Sequence, residues 1–557
     1  MRPLTLLILL TVARAFAQPV VNTGGIVNAT GYQTTLAPDT VFVIFGSGMG
    51  PAALTAATAP NYPTSLGGTS INFTPPGSPA IAAKMIYSSA GQVAGLLPSS
   101  AAPGKYLMQV SYNGQSSVAQ SVTVVARSFG IATANSQGTG AAQVTIGNVN
   151  NGVSLVRLTT GTLAFNGLNW TLAPAHPNDT LVIWGTGGGA DPLNDTGGTS
   201  GDQTAAGSFS VLVDGTSITP LYSGASSGYP GLWQINFTLP PTIAPDCFAS
   251  LQVSAGGNLS NLASIAIAAT GQNSCSSQIS TSTLNTLSNG GNIVMAGLTM
   301  NHLSFTGGVQ ENVGGVFNRY TASAFLIPYS GPKVGLCTVM DETYAKGGKE
   351  PSAPDTLLDA GTLTISGPGL TPSRSVASTT TTFGTNYESS LTVGTLVNGG
   401  TYTLSGTGGK DVGPFTATAT MPGSFAVTNL SSLASVNRAQ PLTVNWTGSG
   451  FDQVTILVQS TIIGSTNTHI VVVSCAVPAA AGTYTIPTAA LGYLLGAGGA
   501  GTFIGQVGVN AETNPGGVVS AESGTSTLLT PNLVAGGKVD FGSFLPTITY
   551  VTTATIQ

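Results

Sequence analysis

Apolar and polar residues alternate along most of this chain in short runs. Leu442-Thr443-Val444-Asn445-Trp446-Thr447 alternates strictly, and Gly361–Ser366 and Phe415–Thr420 do so with Thr and Ser as the polar members. A period of two puts every second side chain on one face of a sheet, so these runs predict half-buried strands. Val41–Phe45, Tyr106–Tyr112 and Val118–Val125 are rich in β-branched and aromatic residues, which suit a pleated surface. Pro103-Gly104, Asn113-Gly114 and Ala255-Gly256-Gly257 bound the runs as turns. Gly, Thr, Ser and Pro interrupt every window long enough for an amphipathic helix. The pattern predicts an all-β chain built of sandwiches.

The strongest long-range signal is a duplication. Pro38–Gly50 (PDTVFVIFGSGMG) matches Pro177–Gly189 (PNDTLVIWGTGGG). Tyr87-Ser88 then matches Tyr222-Ser223, Gln92–Pro98 matches Gln234–Pro240, and Gln109-Val110-Ser111 matches Gln252-Val253-Ser254. The stations keep their order, so residues 19–127 and 128–272 are expected to be two copies of one sandwich. Phe45 and Trp184 should then occupy equivalent buried positions.

These stations carry a family resemblance. Val20-Val21-Asn22 comes first, then Leu36-Ala37-Pro38-Asp39-Thr40 leading into an apolar strand and the Phe45-Gly46-Ser47-Gly48-Met49-Gly50 turn. Leu66-Gly67-Gly68-Thr69-Ser70, the Tyr-Ser pair, a Gln strand ending in Pro and a Pro-Gly hairpin follow. In this order they resemble the uncharacterised Ig-like (IPT/TIG-like) repeats of secreted, acidobacterial-type soil-bacterial proteins. The resemblance covers residues 19–272, and the order of the motifs carries it. It implies tandem Ig-like β-sandwich domains and an extracellular setting, with no established catalytic residues. The first copy departs from the pattern at Gly95-Leu96, where the usual polar strand residue is missing. The second departs in a long loop between Tyr222 and Gln234.

Residues 277–557 show no such duplication. Charge gathers at Asp341, Glu342, Lys346, Lys349, Glu350, Asp355 and Asp359, with Gly, Pro and Ser between them, which predicts an exposed loop. A fresh unit is expected near Phe425, with strands at Leu442–Thr447, Val454–Val458, His469–Val477, Gly482–Ile486 and Phe503–Val509. Trp446 on an early strand and Cys475 on a later one look like an Ig core. Residues 277–425 are read as a β-rich domain and 426–557 as another Ig-like sandwich.

Composition narrows the setting. Of 557 residues only 6% are charged, the net charge is −5, and 42% are apolar, which excludes a disordered polymer. Fourteen Lys and Arg, unclustered, cannot neutralise many phosphates, which argues against nucleic acid as a partner. Residues 1–17 read as a signal peptide: Arg2, the apolar run Leu4–Val12, and Ala15-Phe16-Ala17 before Gln18. That run is about half the ~20 residues a membrane span needs. The mature chain is therefore expected to be secreted, extracellular or periplasmic, with no membrane span after signal removal. Four cysteines fit an oxidising compartment. Cys247 and Cys275, close in sequence, are expected to bond to each other, leaving Cys337 and Cys475 for each other. No C-x-x-C spacing points to zinc.

Candidate chemistry is sparse. The Phe45–Gly50 turn follows a strand, yet Thr55–Pro63 has no helical period to cradle a pyrophosphate, so no cofactor is expected. There are three histidines, His176, His302 and His469, and no Gly-x-Ser-x-Gly elbow. A triad would have to join His302 to the Asp341 region in space, and a glycosidase pair would come from Asp341, Glu342 or Glu350. Asp191, Asp195 and Asp202 lie in a Gly-rich loop and are weak candidates for calcium. Tyr229, Trp233 and Trp446 offer stacking faces for a sugar if exposed, or fill cores if not. The reading is a secreted, non-enzymatic Ig-like protein for adhesion, surface display or matrix structure, with an extracellular polysaccharide or cell-surface protein as partner. The alternative is a carbohydrate-binding or carbohydrate-active protein that works through residues 277–557.

Overall fold

The computed structural model describes residues 18–557 except 135, 137, 139, 148–153, 166–167, 208, 276–291, 306, 321–334, 346–355, 382–383, 465–466, 498–501, 513–531 and 537. It is all-β, with tandem Ig-like sandwiches at its N-terminal end. In the first sandwich, one sheet sets Val20–Asn28, Val41–Ser47, Gln92–Leu96, Lys84–Ser88 and Thr55–Ala56 side by side. The facing sheet runs Thr35–Leu36, Gln120–Val124, Gly104–Tyr112, Thr69–Thr74 and Ile81–Ala82. Alternation does the sorting: Tyr106, Met108 and Val110 point inward while Lys105, Leu107 and Gln109 point out. Phe42 meets Phe73 edge-on at 5.3 Å in the core.

The second sandwich repeats this plan at the same register. Phe45 pairs with Gln92 as Trp184 pairs with Gln234. Tyr87-Ser88 face Ala94 and Val93 as Tyr222-Ser223 face Asn236 and Ile235. Even a side-chain device is copied. The Val110 amide donates to Ser117 Oγ (3.1 Å) and the Val253 amide to Ser260 Oγ (2.8 Å), while Gln109 and Gln252 each donate to the carbonyl of that serine. Phe45 and Trp184 are equivalent, but half-buried, not buried as expected. Their strand neighbours Ile44 and Ile183 take the core-facing positions, so the period of two turns the aromatics to the other face.

The C-terminal half differs from the expected pair of domains. One ten-stranded sheet takes strands from both sides of residue 425, in the order 337–345, 467–478, 453–463, 502–512, 541–553, 293–305, 308–320, 356–357, 384–391 and 378–381. Ile293–Phe305 lies parallel to Phe541–Thr553 and antiparallel to Gly308–Tyr320. Two small sheets cover it: residues 370–376, 363–367, 401–406 and 415–420 in one, and 425–427, 442–448 and 483–486 in the other. A single buried cluster runs from Val294 to Ile556. The division at 425/426 thus separates neither sheets nor cores, because Phe541–Thr553 returns to pair with Ile293–Phe305.

The charged segment is also not one loop. Cys337–Ala345 is an edge strand that carries Asp341, and Thr356–Leu357 is a short strand just before Asp359. Residues 346–355, including Lys346, Lys349, Glu350 and Asp355, lie outside the described residues. Cys337 and Cys475 are cross-strand register partners joined by a disulfide. Cys247 and Cys275 are both buried in the second core and are not joined to each other, against the expected bond between them. The Cys275 amide donates to Leu158 O at 3.1 Å, and Ser274 bridges Thr159, so the chain after the last strand is drawn to the 158–160 segment. Among the described residues no helix is long and apolar enough to cross a membrane.

Candidate functional site

The site begins in a turn. Asp39 adopts φ +59°, a left-handed conformation that Asp and Asn tolerate better than other side chains. Its amide donates to Leu97 O at 2.8 Å, and Thr40 Oγ1 accepts the Ala37 amide at 3.0 Å. The second copy builds the same turn with Asn178 at φ +73°, its amide on Leu239 O at 3.0 Å, and Asp179 accepting the His176 amide at 2.8 Å.

In the first copy this turn is covered by the second sandwich. The Val41 amide donates to Thr186 Oγ1 at 2.8 Å. Asn28 Nδ2 donates to Ser128 O (3.0 Å) and Thr186 O (3.3 Å), Thr30 Oγ1 to Gly130 O (2.8 Å) and Tyr32 OH to Ser136 O (2.8 Å). Thr35 and Ser128 share a hydroxyl bond of 3.1 Å. Packing is close as well: a Cβ on Gly231 would lie 2.5 Å from Val41 and 2.7 Å from Leu96. The two sandwiches meet at a hydrogen-bonded seam.

Two carboxyl groups bond across this seam, those of Asp39 and Asp195. Asp39 is fully buried; its Oδ2 accepts the Asp191 amide, while its Oδ1 has no hydrogen-bond partner. Asp195, on the short turn Asn194–Thr196, reaches across to accept the Ser99 amide at 3.1 Å and the Ser99 hydroxyl at 2.8 Å. The Asp195 carbonyl accepts the Lys84 ammonium. Burial pushes the Asp39 carboxyl up to about 8, the Asp191 amide bond opposes this, and the neighbouring Asp195 and Asp191 charges add to it. Asp191 spends both oxygens on its own loop: Ser200 Oγ at 2.6 Å, Ser200 N at 2.8 Å and Leu193 N at 3.1 Å.

The calcium candidates are thus held by separate sets of donors. Asp202 is exposed, and bonds from Thr204 Oγ1 (2.5 Å), Thr204 N (2.9 Å) and Ser223 N (3.1 Å) hold its carboxyl below the usual range. Among the described residues no group of three or more His, Cys, Asp or Glu is arranged to hold a metal ion. Asp39 escaped the sequence reading because it lies in the other sandwich. Its one signal was the Pro-Asp turn aligned to Pro-Asn in the second copy.

The other candidates have structural partners. His302 Nδ1 lies 2.9 Å from Glu311, and His469 Nε2 lies 2.7 Å from Asp341, so His302 and Asp341 do not form a triad. His176 takes Asp179 at 3.3 Å and Gln272 O at 2.8 Å. The side chain of Glu342 lies outside the described set. Trp233 and Trp446 fill cores, with Trp446 Nε1 on Ala479 O at 2.9 Å, whereas Tyr229 is 59% exposed. The glycines after Phe45 serve close packing: a Cβ would lie 2.1 Å from Val20 O at Gly46 and 2.2 Å from Ser88 Oγ at Gly50.

No family model and no curated protein matches the chain. Among solved structures, a tetra-tandem repeat from the extending region of a large adhesion protein aligns at 12% identity over 96% of this chain and 99% of that one, with a TM-score of 0.13. The N-terminal four Ig domains of Dscam1 align at 9% identity over 97% and 98%, TM-score 0.13. The FN1–FN3 domains of chicken CNTN1 align at 11% over 73% and 98%, TM-score 0.12. At such scores these likenesses carry no argument about function, and the fold class rests on the sheets described above.

Proposed function

We propose that this chain is a secreted, non-enzymatic protein of adhesion, surface display or extracellular matrix, in which a stiff pair of Ig-like sandwiches bears a larger β unit. The seam between the sandwiches supports this reading most. A flexible linker would leave Asn28, Thr30, Val41 and Asp39 in water, whereas here they bond to the next sandwich. Such a joint holds spacing and orientation, which is what a stalk or display element needs. The described carboxylates nearest to histidines are engaged within strands and turns, which accords with a non-enzymatic role. The disulfide between Cys337 and Cys475 accords with an oxidising, extracellular setting. The polysaccharide-binding alternative retains one stacking candidate, the exposed Tyr229.

The test is to incubate the intact mature chain with a panel of insoluble polysaccharides and with whole cells. Retention without release of reducing sugar is the expected result, with cell or protein surfaces as the partner if no polysaccharide retains it. Release of reducing sugar that disappears in Asp341→Asn would overturn the non-enzymatic reading.

A further inference from the structure

We propose that the C-terminal unit is a load-bearing clamp, in which the parallel ladder between Ile293–Phe305 and Phe541–Thr553 carries tension in shear. The stalk reading supplies that tension, between the N-terminal sandwiches and the segment after Thr553. The two strands run side by side from Met295 opposite Phe541 to Phe305 opposite Val551, eleven register partners. They begin at the same end, where the Asp540 amide donates to Val294 O at 2.9 Å and the Val294 amide to Asp540 Oδ2 at 2.8 Å. The second sandwich sits at that end, because Ile293 and Met295 are part of its core. The chain leaves at the other end: the Ala554 amide donates to Gly505 O at 2.8 Å, and Thr555–Ile556 pairs with Ser435–Val436.

Direction decides strength here. Ladder hydrogen bonds run between strands, across their axes. A pull along the strands strains all of them together, whereas a pull across the ladder breaks them one after another from its end. Tension between the second sandwich and Gln557 runs along both strands, entering one at Ile293 and leaving the other at Thr553. To slide, Phe541–Thr553 must also give up its antiparallel ladder, from Gln506 opposite Thr553 to Glu512 opposite Thr547, and draw Phe544 and Ile548 out of the core. Gln557 adds a second hold: its amide donates to Val436 O at 2.9 Å and its carbonyl accepts the Arg438 amide at 3.0 Å. The parallel pair in the first sandwich, Thr35–Leu36 with Gln120–Val124, has only two register partners. An antiparallel closing pair in the C-terminal unit would bring both chain ends to one end of the ladder, where the same load would peel it open.

The test is single-molecule force spectroscopy on the intact mature chain, with handles coupled by chemistry that leaves its cysteines untouched. Handles at Asn292 and Gln557 load the ladder along its strands; handles at Asn292 and Lys538 grip the same end of both strands and load it across. All three residues are exposed. At equal loading rate the first pair should need severalfold greater force, since forced unfolding follows the unfolding rate and only the direction differs. Reducing Cys337–Cys475 should keep that difference and lengthen the full extension by ~480 Å, at about 3.5 Å for each of the 138 residues of separation the bond spans. A chain that captured no surface at all would still show the difference, so failure of the adhesive reading and failure of the clamp are separate results. Rupture at equal force in both directions would overturn the clamp. So would a lengthwise force that falls to the crosswise value on reduction, which would assign the resistance to the disulfide-braced edge strand.

Discussion

Replacing Glu311 tests what holds the C-terminal unit together. Glu311 is fully buried on Gly308–Tyr320, directly opposite His302 in the hairpin register. Its Oε1 lies 2.9 Å from His302 Nδ1 and accepts the Gly394 amide at 3.1 Å, and its Oε2 accepts the Leu396 amide at 2.9 Å. The carboxylate therefore staples the 392–396 turn onto the long sheet. In Glu311→Ala both amides lose their acceptor. Water replaces it at the exposed Gly394 but not at the buried Leu396. A bond to a charged group is worth ~1.5–3 kcal/mol, so the loss should come to about 2–4 kcal/mol. Glu311→Gln keeps one amide acceptor and turns an NH2 toward the other, at a cost of about 1–2 kcal/mol. His302→Ala removes only a partly exposed partner and should cost about 0–1 kcal/mol. Urea titration by circular dichroism gives the stabilities, and hydrogen exchange over 392–400 reads the turn directly. If His302→Ala cost as much as Glu311→Ala, or if Glu311→Ala left the Leu396 amide protected, the staple argument would be wrong.

Further outcomes follow from the same contacts. Ser117→Ala and Ser260→Ala should each destabilise their own sandwich by about 1–3 kcal/mol, since each leaves a buried valine amide unpaired; markedly unequal losses in thermal melts would deny that the two devices are equivalent. Trp233→Ala and Trp446→Ala should cost about 3–5 kcal/mol as core truncations, whereas Tyr229→Ala should leave stability unchanged, so polysaccharide retention lost only in Tyr229→Ala would favour the sugar-binding alternative. Mass mapping of the unreduced protein should recover Cys337 linked to Cys475 and no peptide joining Cys247 to Cys275. Cys337→Ser should lower stability by about 2–5 kcal/mol, given that the bond closes a 138-residue separation. A mapped bond between Cys247 and Cys275 would restore the pairing expected from their closeness in sequence.

What the sequence determined by itself was local and repetitive. Period-two alternation dictates strands because the pleat alternates side chains whatever lies around them. A duplication is a statement about the chain alone, so the shared register of Val41–Ser47 and Thr180–Thr186 was legible, down to Phe45 opposite Gln92 and Trp184 opposite Gln234. Tertiary structure decided everything that required distant segments to meet. Strand Phe541–Thr553 pairs in parallel with Ile293–Phe305, and no local pattern encodes a partner so far away, so residues 277–425 and 426–557 looked separable when they share one sheet and core. Asp341 looked like part of a charged loop, but an edge strand with His469 beside it accommodates its charge. Asp39 read as an ordinary turn residue; docking of the second sandwich removed its water and set it against the Asp191 amide. Desolvation and the approach of like charges belong to the packed interface, so the seam chemistry existed only once the two copies had folded and met.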